Sequence, residues 1–179
     1  MSTAAIGQPD PGILAARIPS VDFTQTLMKL QRATHLIAST LDFDLLVDRV
    51  VNDIACSIGC VEVNVWLRDD EKEEMVLQGG RGCTHYEKGN RLQVGKEGMV
   101  GHVAASGCMR YAPDVDLDPY YIGCEAQTRS AVTIPLKSDG RVMGVLSIDH
   151  SERDAFSDDE LKAIWLYLQS LPKLSQYTE

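Results

Sequence analysis

Apolar and polar residues alternate without a break from Val61 to Arg68: Val61, Val63, Val65 and Leu67 fall on one side and Glu62, Asn64, Trp66 and Arg68 on the other. A period of two over this length predicts a half-buried strand. A charged turn, Asp69 to Glu74, leads to a second strand in "EMVLQGGRG". The same alternation returns in Ala131–Leu136 and Val142–Asp149, separated by Ser138-Asp139-Gly140, and predicts a hairpin with a tight turn. "CMRYAPDV" predicts a further strand, stopped by Pro113. Elsewhere the period changes to that of a helix. Leu46, Val47, Val50, Val51, Ile54 and Ile58 form one broad face over 43–58, with Asp42 as N-cap and Gly59 as stop. "EGMVGHVAASG" predicts a short helix between Gly95 and Gly107. "FSDDE" is a capping box, Ser157 with Glu160, that starts a helix carrying Leu161, Ile164, Trp165, Leu168 and Leu171 up to Pro172. An earlier helix, 23–39, carries Leu27, Leu30 and Ile37 on a narrow stripe that Leu41 continues.

The order of elements predicts an α+β fold with a central antiparallel sheet. Long helices at both ends can cover one face. Val132, Ile134, Leu136, Val142, Leu146 and Ile148 belong to that face. The other face receives Ala131, Thr133, Ser147 and Asp149 from the hairpin and Asn64 and Trp66 from the first strand. Two connections, 79–95 and 114–130, exceed the usual loop length of about 4–6 residues. Folded over the polar face, they would enclose a small pocket with an aromatic wall. Trp66, Thr133, Ser147 and Asp149 are therefore the expected ligand-binding residues, closed by the segment around Cys124 and Glu125. An unpaired buried carboxylate is costly, so Asp149 favours a ligand with a cationic or donor group.

Composition narrows the function. The chain has 179 residues, a net charge of −9 and a pI near 4.9. Lys and Arg are not clustered, which argues against nucleic acid as a partner. No apolar run reaches the roughly 20 residues that cross a bilayer, and the N-terminus lacks the pattern of a signal peptide. A cytoplasmic protein is expected. The organisation expected is a loose arm over 1–20, a single domain over 21–172 and a tail over 173–179, with no output module of its own. The five cysteines, Cys56, Cys60, Cys83, Cys108 and Cys124, include no C-x-x-C pair. Disulfides and zinc are not expected, and Cys56 and Cys60 are expected as buried small apolar groups. Asp114, Asp116, Asp118 and Glu125 have the spacing of a calcium loop, but Pro119 stands where such a loop needs glycine, so a solvated turn is expected and no metal.

Several strings, in this order, resemble the GAF domain family over roughly residues 24–171: "STLDFDLLVDRVV", "VGKEGMVGHVAASG", "YAPDVDLDPYY", "RSAVTIPLKSDGRVMGVLSID" and "FSDDE". The resemblance implies a central antiparallel sheet with terminal helices on one face and a loop-covered ligand pocket on the other. It also implies a sensor that signals through its terminal helices to a separate partner, and a homodimer formed by those helices. It leaves the ligand, and so any cofactor, unnamed. Cyclic-nucleotide-binding members carry an Asn-Lys pair where this chain has Asp149-His150, and bilin-binding members commonly have a Cys-His pair where Cys124 is followed by Glu125. His35, His85, His102 and His150 form no haem-binding pattern. The free methionine-(R)-sulfoxide reductases are the enzyme alternative within the family, and Cys124 of Ile122-Gly123-Cys124-Glu125 resembles their catalytic cysteine. Three motif positions depart: Met99 lies near a motif cysteine, Ala131 replaces a substrate-holding Glu, and Ser147 replaces the first Asp of an Asp-Ile-Asp. A ligand-free GAF scaffold used only for dimerisation is the third reading.

Overall fold

The computed structural model describes residues 42–82, 86–123 and 127–171. Six strands form one antiparallel sheet in the order β3-β2-β1-β6-β5-β4. The strands are β1 (Glu62–Asp69), β2 (Glu74–Arg81), β3 (Arg91–Gln93), β4 (Arg110–Ala112), β5 (Ser130–Ser138) and β6 (Arg141–His150). Helices α1 (Phe43–Ile58) and α3 (Asp158–Gln169) lie in one layer, and the shorter α2 (Gly98–Ser106) lies in another. The stripe Leu27, Leu30, Ile37 and Leu41 and the arm over 1–20 lie outside the described residues, as does the tail over 173–179.

The local signals act as the sequence predicts. Asp42 accepts the backbone N–H of Leu45 at the start of α1, and Gly59 ends that helix in the left-handed region. Ser157 and Glu160 close a reciprocal capping box at α3. Asp139 and Gly140 form the hairpin turn with φ of 50° and 82°, the geometry of a two-residue type I′ turn.

The helix-side core joins Leu46, Val50 and Ile54 of α1 to Leu161, Ile164 and Leu168 of α3 over Val63, Val65, Ile134 and Leu146 of the sheet. Tyr167 donates its hydroxyl to Asp53 at 3.3 Å and ties the two helices together.

The opposite face departs from expectation in two ways. It is only half polar: Trp66, Met75, Leu77 and Val145 pack there against Val100, Val103 and Ala104 of α2 to make a second apolar core. Val142, expected under the terminal helices, packs into this second core. The cause is a register shift between Leu136 and Lys137 in the β5–β6 ladder, where Leu136 pairs with Gly144 but Lys137 pairs with Val142. The extra residue reverses the parity of β6 beyond the bulge.

The expectation that Cys56 and Cys60 are buried small apolar groups fails for Cys56, which is exposed on the outer side of α1, and holds in part for Cys60, which is half-buried and packs against the helix-side core. Cys108, after the end of α2, is exposed. Burial pushes the Cys60 thiol up to about 11, which keeps it protonated and unreactive near neutral pH. Cys83 and Cys124 lie outside the described residues.

Candidate functional site

Where the second core ends, the same sheet face turns polar. Glu62 and Asn64 of β1 lie beside Asp149 and Ser147 of β6, paired Glu62 to Asp149 and Asn64 to Ser147. On the far side of β6, Ala131 pairs with Asp149 and Thr133 with Ser147. Alternation puts all six on one face, and the antiparallel register brings them into one patch.

A cavity of about 50 Å³ stands over this patch, with Glu62, Asn64, Thr133, Ser147 and Asp149 among its lining residues. Trp66 and Tyr86 form an aromatic wall, rings edge to face with centroids 5.6 Å apart. Gly98, Met99 and Val100, the first turn of α2, form a second wall. Tyr121 and Ile122 of the long loop close the remaining side. The space holds roughly three to five water-sized groups. That is room for a polar head group.

Two local devices put these walls in place. Gly101 lets α2 sit down on the β3 segment: a Cβ there would lie 2.4 Å from the Gln93 carbonyl oxygen, and Gly95 donates its N–H to the Gly101 carbonyl at 2.8 Å. The long loop is pinned by charge. Arg110 of β4 holds the Asp118 carboxylate through Nε and Nη2 at 2.8 Å each. Arg153 spans Asp114 and Asp116 at 2.8 and 2.9 Å. The calcium-like run is therefore occupied by arginines around a short 3₁₀ turn, Val115–Leu117. The Tyr120 ring stacks on His102, centroids 3.9 Å apart, and the Arg110 guanidinium lies over it at 4.5 Å. Among the described residues, no group of three or more His, Cys, Asp or Glu side chains is placed to hold a metal ion. None of the described helices is long and apolar enough to cross a membrane.

Asp149 is the electrostatic centre. It is 8% exposed, and its carboxylate accepts the hydroxyls of Tyr121 at 2.9 Å and Thr128 at 3.2 Å. Burial raises its pKa from 3.8 to about 6, and the two hydroxyl donors oppose the rise. Burial, with Asp149 beside it, pushes the Tyr121 phenol far up, so Tyr121 remains a donor. Glu62 is also buried and accepts from the Asn64 amide. The Trp66 indole, 1% exposed, has its Nε1–H buried without an acceptor.

The four described residues expected at the pocket, Trp66, Thr133, Ser147 and Asp149, thus line one cavity. Cys124 and Glu125 lie outside the described residues; Ile122, two positions before Cys124, is a wall residue. Sequence reasoning placed Glu62 on the correct face but did not select it, and it missed Tyr86 and Tyr121 entirely. The signal for Glu62 was available, since it precedes Asn64 by two in a strictly alternating strand. For the tyrosines only the unusual length of their loops hinted at a role.

The GAF domain profile matches residues 40–170. The chain belongs to the GAF domain family. This GAF domain is 30% identical over 111 residues to Protein YtsP of Bacillus subtilis (strain 168), a match that covers 60% of this chain and 64% of that protein. It is 32% identical over 84 residues to the free methionine-R-sulfoxide reductase of Saccharomyces cerevisiae, covering 46% of this chain and 44% of that enzyme. The chain therefore spans less than two thirds of the length of these curated relatives. Among solved structures, the free methionine-R-sulfoxide reductase from Neisseria meningitidis in complex with its substrate superposes with a TM-score of 0.76 at 24% identity, covering 87% of this chain and 92% of that one. The GAF domain of a phosphoenolpyruvate-protein phosphotransferase from Coxiella burnetii superposes with a TM-score of 0.77 at 21% identity, covering 87% and 95%. At these identities the superpositions establish the fold. The three departures from the reductase motif, Met99, Ala131 and Ser147, all line the cavity of this GAF domain.

Proposed function

We propose that this GAF domain binds a small molecule by a polar head group in the cavity over β1, β5 and β6 and reports its presence to a separate partner. The observation that carries the reading is the bond from the loop residue Tyr121 to the buried carboxylate of Asp149. It links the loop to the sheet at a buried carboxylate that lines the cavity. A donor-bearing ligand at Asp149 competes with or reinforces that bond. β6 lies between β1 and β5, whose opposite face carries α1 and α3, so the change reaches the terminal helices through a packed sheet.

The second reading is a reductase acting on free methionine sulfoxide through Cys124, favoured by the two relatives named free methionine-R-sulfoxide reductase among the sequence matches. Against it stand Ala131 and Ser147, which remove two carboxylates from the positions where the reductase motif has them.

Mass spectrometry of the purified protein under native and then denaturing conditions tests the first reading, together with a thioredoxin-coupled assay on methionine-(R)-sulfoxide. A retained small molecule and no efficient turnover are expected. Robust turnover abolished by Cys124→Ser would establish the enzyme instead.

A further inference from the structure

The first turn of α2 walls the cavity, and its last turn lines a second concavity at the other end of the helix, an open groove of about 340 Å³ beside the β5–β6 hairpin turn. The chain has 17 Lys and Arg against 26 Asp and Glu, yet Arg68, Lys137 and Arg141 meet here over one carboxylate, Asp70, among the described residues that line the groove. Asp70 fixes the two arginines. Arg68 Nε donates to its Oδ1 at 2.8 Å, and Arg141 Nη2 to its Oδ2 at 3.0 Å. A guanidinium has five N–H donors. Arg68 spends one more on the Ala104 carbonyl, at 3.1 Å, so most donors of the pair remain unspent among the described residues. Lys137 reaches the same end of α2, since a Cβ at Gly107 would lie 3.4 Å from its Nζ. Its ammonium makes no ion pair or hydrogen bond among the described residues. Cations gather at a helix C-terminus for the sake of the helix dipole. That accounts for Arg68 and Lys137, which approach the last turn of α2, but not for Arg141, whose guanidinium bonds Asp70 instead.

We propose that this groove binds the phosphate group of a small soluble phosphomonoester through Arg68, Arg141 and Lys137. The site is separate from the cavity over β1, β5 and β6 and does not depend on how that cavity is used. A phosphomonoester carries about −1.5 to −2 charges at neutral pH and three strongly accepting oxygens. Three cations against one carboxylate leave two positive charges in the groove, which matches that anion. The planar fork of a guanidinium donates two parallel N–H bonds to two phosphate oxygens, and Lys137 adds a point charge. Because Asp70 already holds both guanidiniums, little side-chain freedom is lost when the anion arrives. The volume falls in the range of small-molecule sites, about 300–1,000 Å³. A protein partner would need a large buried anchor, aromatic above all, and the apolar residues here are Ala104, Ala105 and Val142. An anionic membrane surface would be repelled by a molecule of net charge −9. A soluble phosphate ester is the chemistry that remains.

The test is an NMR titration of the nitrogen-15-labelled full chain near neutral pH, with ionic strength held constant by sodium chloride. The probes are inorganic phosphate, glycerol phosphate and glucose 6-phosphate, and the controls are glycerol, glucose and sodium acetate. Saturable shifts are expected at the Gly107 and Gly140 amides and at Arg141 Nε with the phosphates and not with the controls. Affinity should fall as salt is raised, because the groups are open to solvent. Arg141 and Lys137 are exposed, so Arg141→Gln and Lys137→Gln keep the fold, which circular dichroism checks. Each is expected to weaken phosphate binding at least fivefold, and the double variant to abolish it. Lys72→Gln, which removes an exposed lysine outside the groove, should leave it unchanged. Shifts that grow linearly without saturation, equal shifts with sodium acetate, or unchanged affinity in both groove variants would overturn the site. So would phosphate shifts confined to the cavity residues Thr133, Ser147 and Asp149, which would put the anion at the other end of α2. Cosedimentation with phosphatidic acid vesicles, or binding of a phosphoserine peptide, without binding of any soluble ester would overturn the assignment to a small molecule.

Discussion

Asp149 shows how a single residue can serve stability and function in opposite senses. Its pKa is raised from 3.8 to about 6, chiefly by burial, so ionising it costs the folded chain more than the unfolded one. Below about pH 4 both states hold the proton and the residue costs nothing. As pH rises the unfolded chain ionises first, and stability drains away until the folded carboxyl ionises near pH 6. Above that the full cost stands, on the order of 1–3 kcal/mol. Glu62 faces it from β1, while Tyr121, Tyr86 and Thr128 contribute only neutral groups there. Asp149→Asn keeps an acceptor for Tyr121 and removes the charge. Urea unfolding should find variant and wild type about equal near pH 4 and the variant more stable at pH 7 by that amount. Parallel pH profiles would show that the carboxyl is not buried as described. Ligand affinity should move the other way, rising through pH 6 in wild type as the carboxylate forms and staying flat in the variant. A residue that weakens the fold at neutral pH and strengthens binding there behaves as a site residue.

At the scale of elements, the sequence carried the ladder and its ends, but not its irregularities. Alternation in β1 and in the hairpin assigned each side chain to its face, and the caps at Asp42, Gly59 and Ser157 act as read. Parity failed at Val142, beyond the extra residue in β6, because a bulge has no pattern of its own and reverses the pattern that follows. Glu62 was legible as to face and illegible as to neighbour, since register between strands distant in sequence fixes who meets whom. Tyr86 and Tyr121 were illegible because loops carry no period. Besides the second apolar core, the placement of α2 depends on a contact that a sequence cannot weigh, the approach of Gly101 to the Gln93 carbonyl. Gly101→Val would force that helix outward, and strain of this kind costs about 1–3 kcal/mol. The expected result is a folded protein with a lower melting temperature and weakened retention of whatever wild type retains in the cavity, because Gly98, Met99 and Val100 form its wall. Unchanged stability would show that α2 is free to shift.

Across the whole molecule, the sheet separates two labours. Its helix-side core, with Ile54 and Ile164 fully buried, holds the fold, and its other face holds α2 and the cavity. The first helix, 23–39, and the last are expected to pair across a two-fold axis; the first lies outside the described residues, and α3 limits how the pairing can occur. Leu161, Ile164 and Leu168 of α3 are buried against the sheet and are not available to a second copy. Leu45 of α1 and Leu166 of α3, each 46% exposed, remain on the outer surface. An exposed leucine is ordinary by itself. Its role is decided by charge. Leu166→Glu places a carboxylate on the solvent side of α3, where it costs folding little; in a dimer seam it would cost association heavily. Ile164→Glu, two positions away on the same helix, buries the same carboxylate in the core and should unfold the chain. If the helices pair, sedimentation of wild type gives a dimer, and Leu166→Glu gives a monomer with wild-type circular dichroism. A wild type that stays monomeric at high concentration, or a Leu166→Glu variant that remains dimeric, would mean that the outer side of α3 is plain surface. The signal from the cavity would then have to leave through some other part of the molecule.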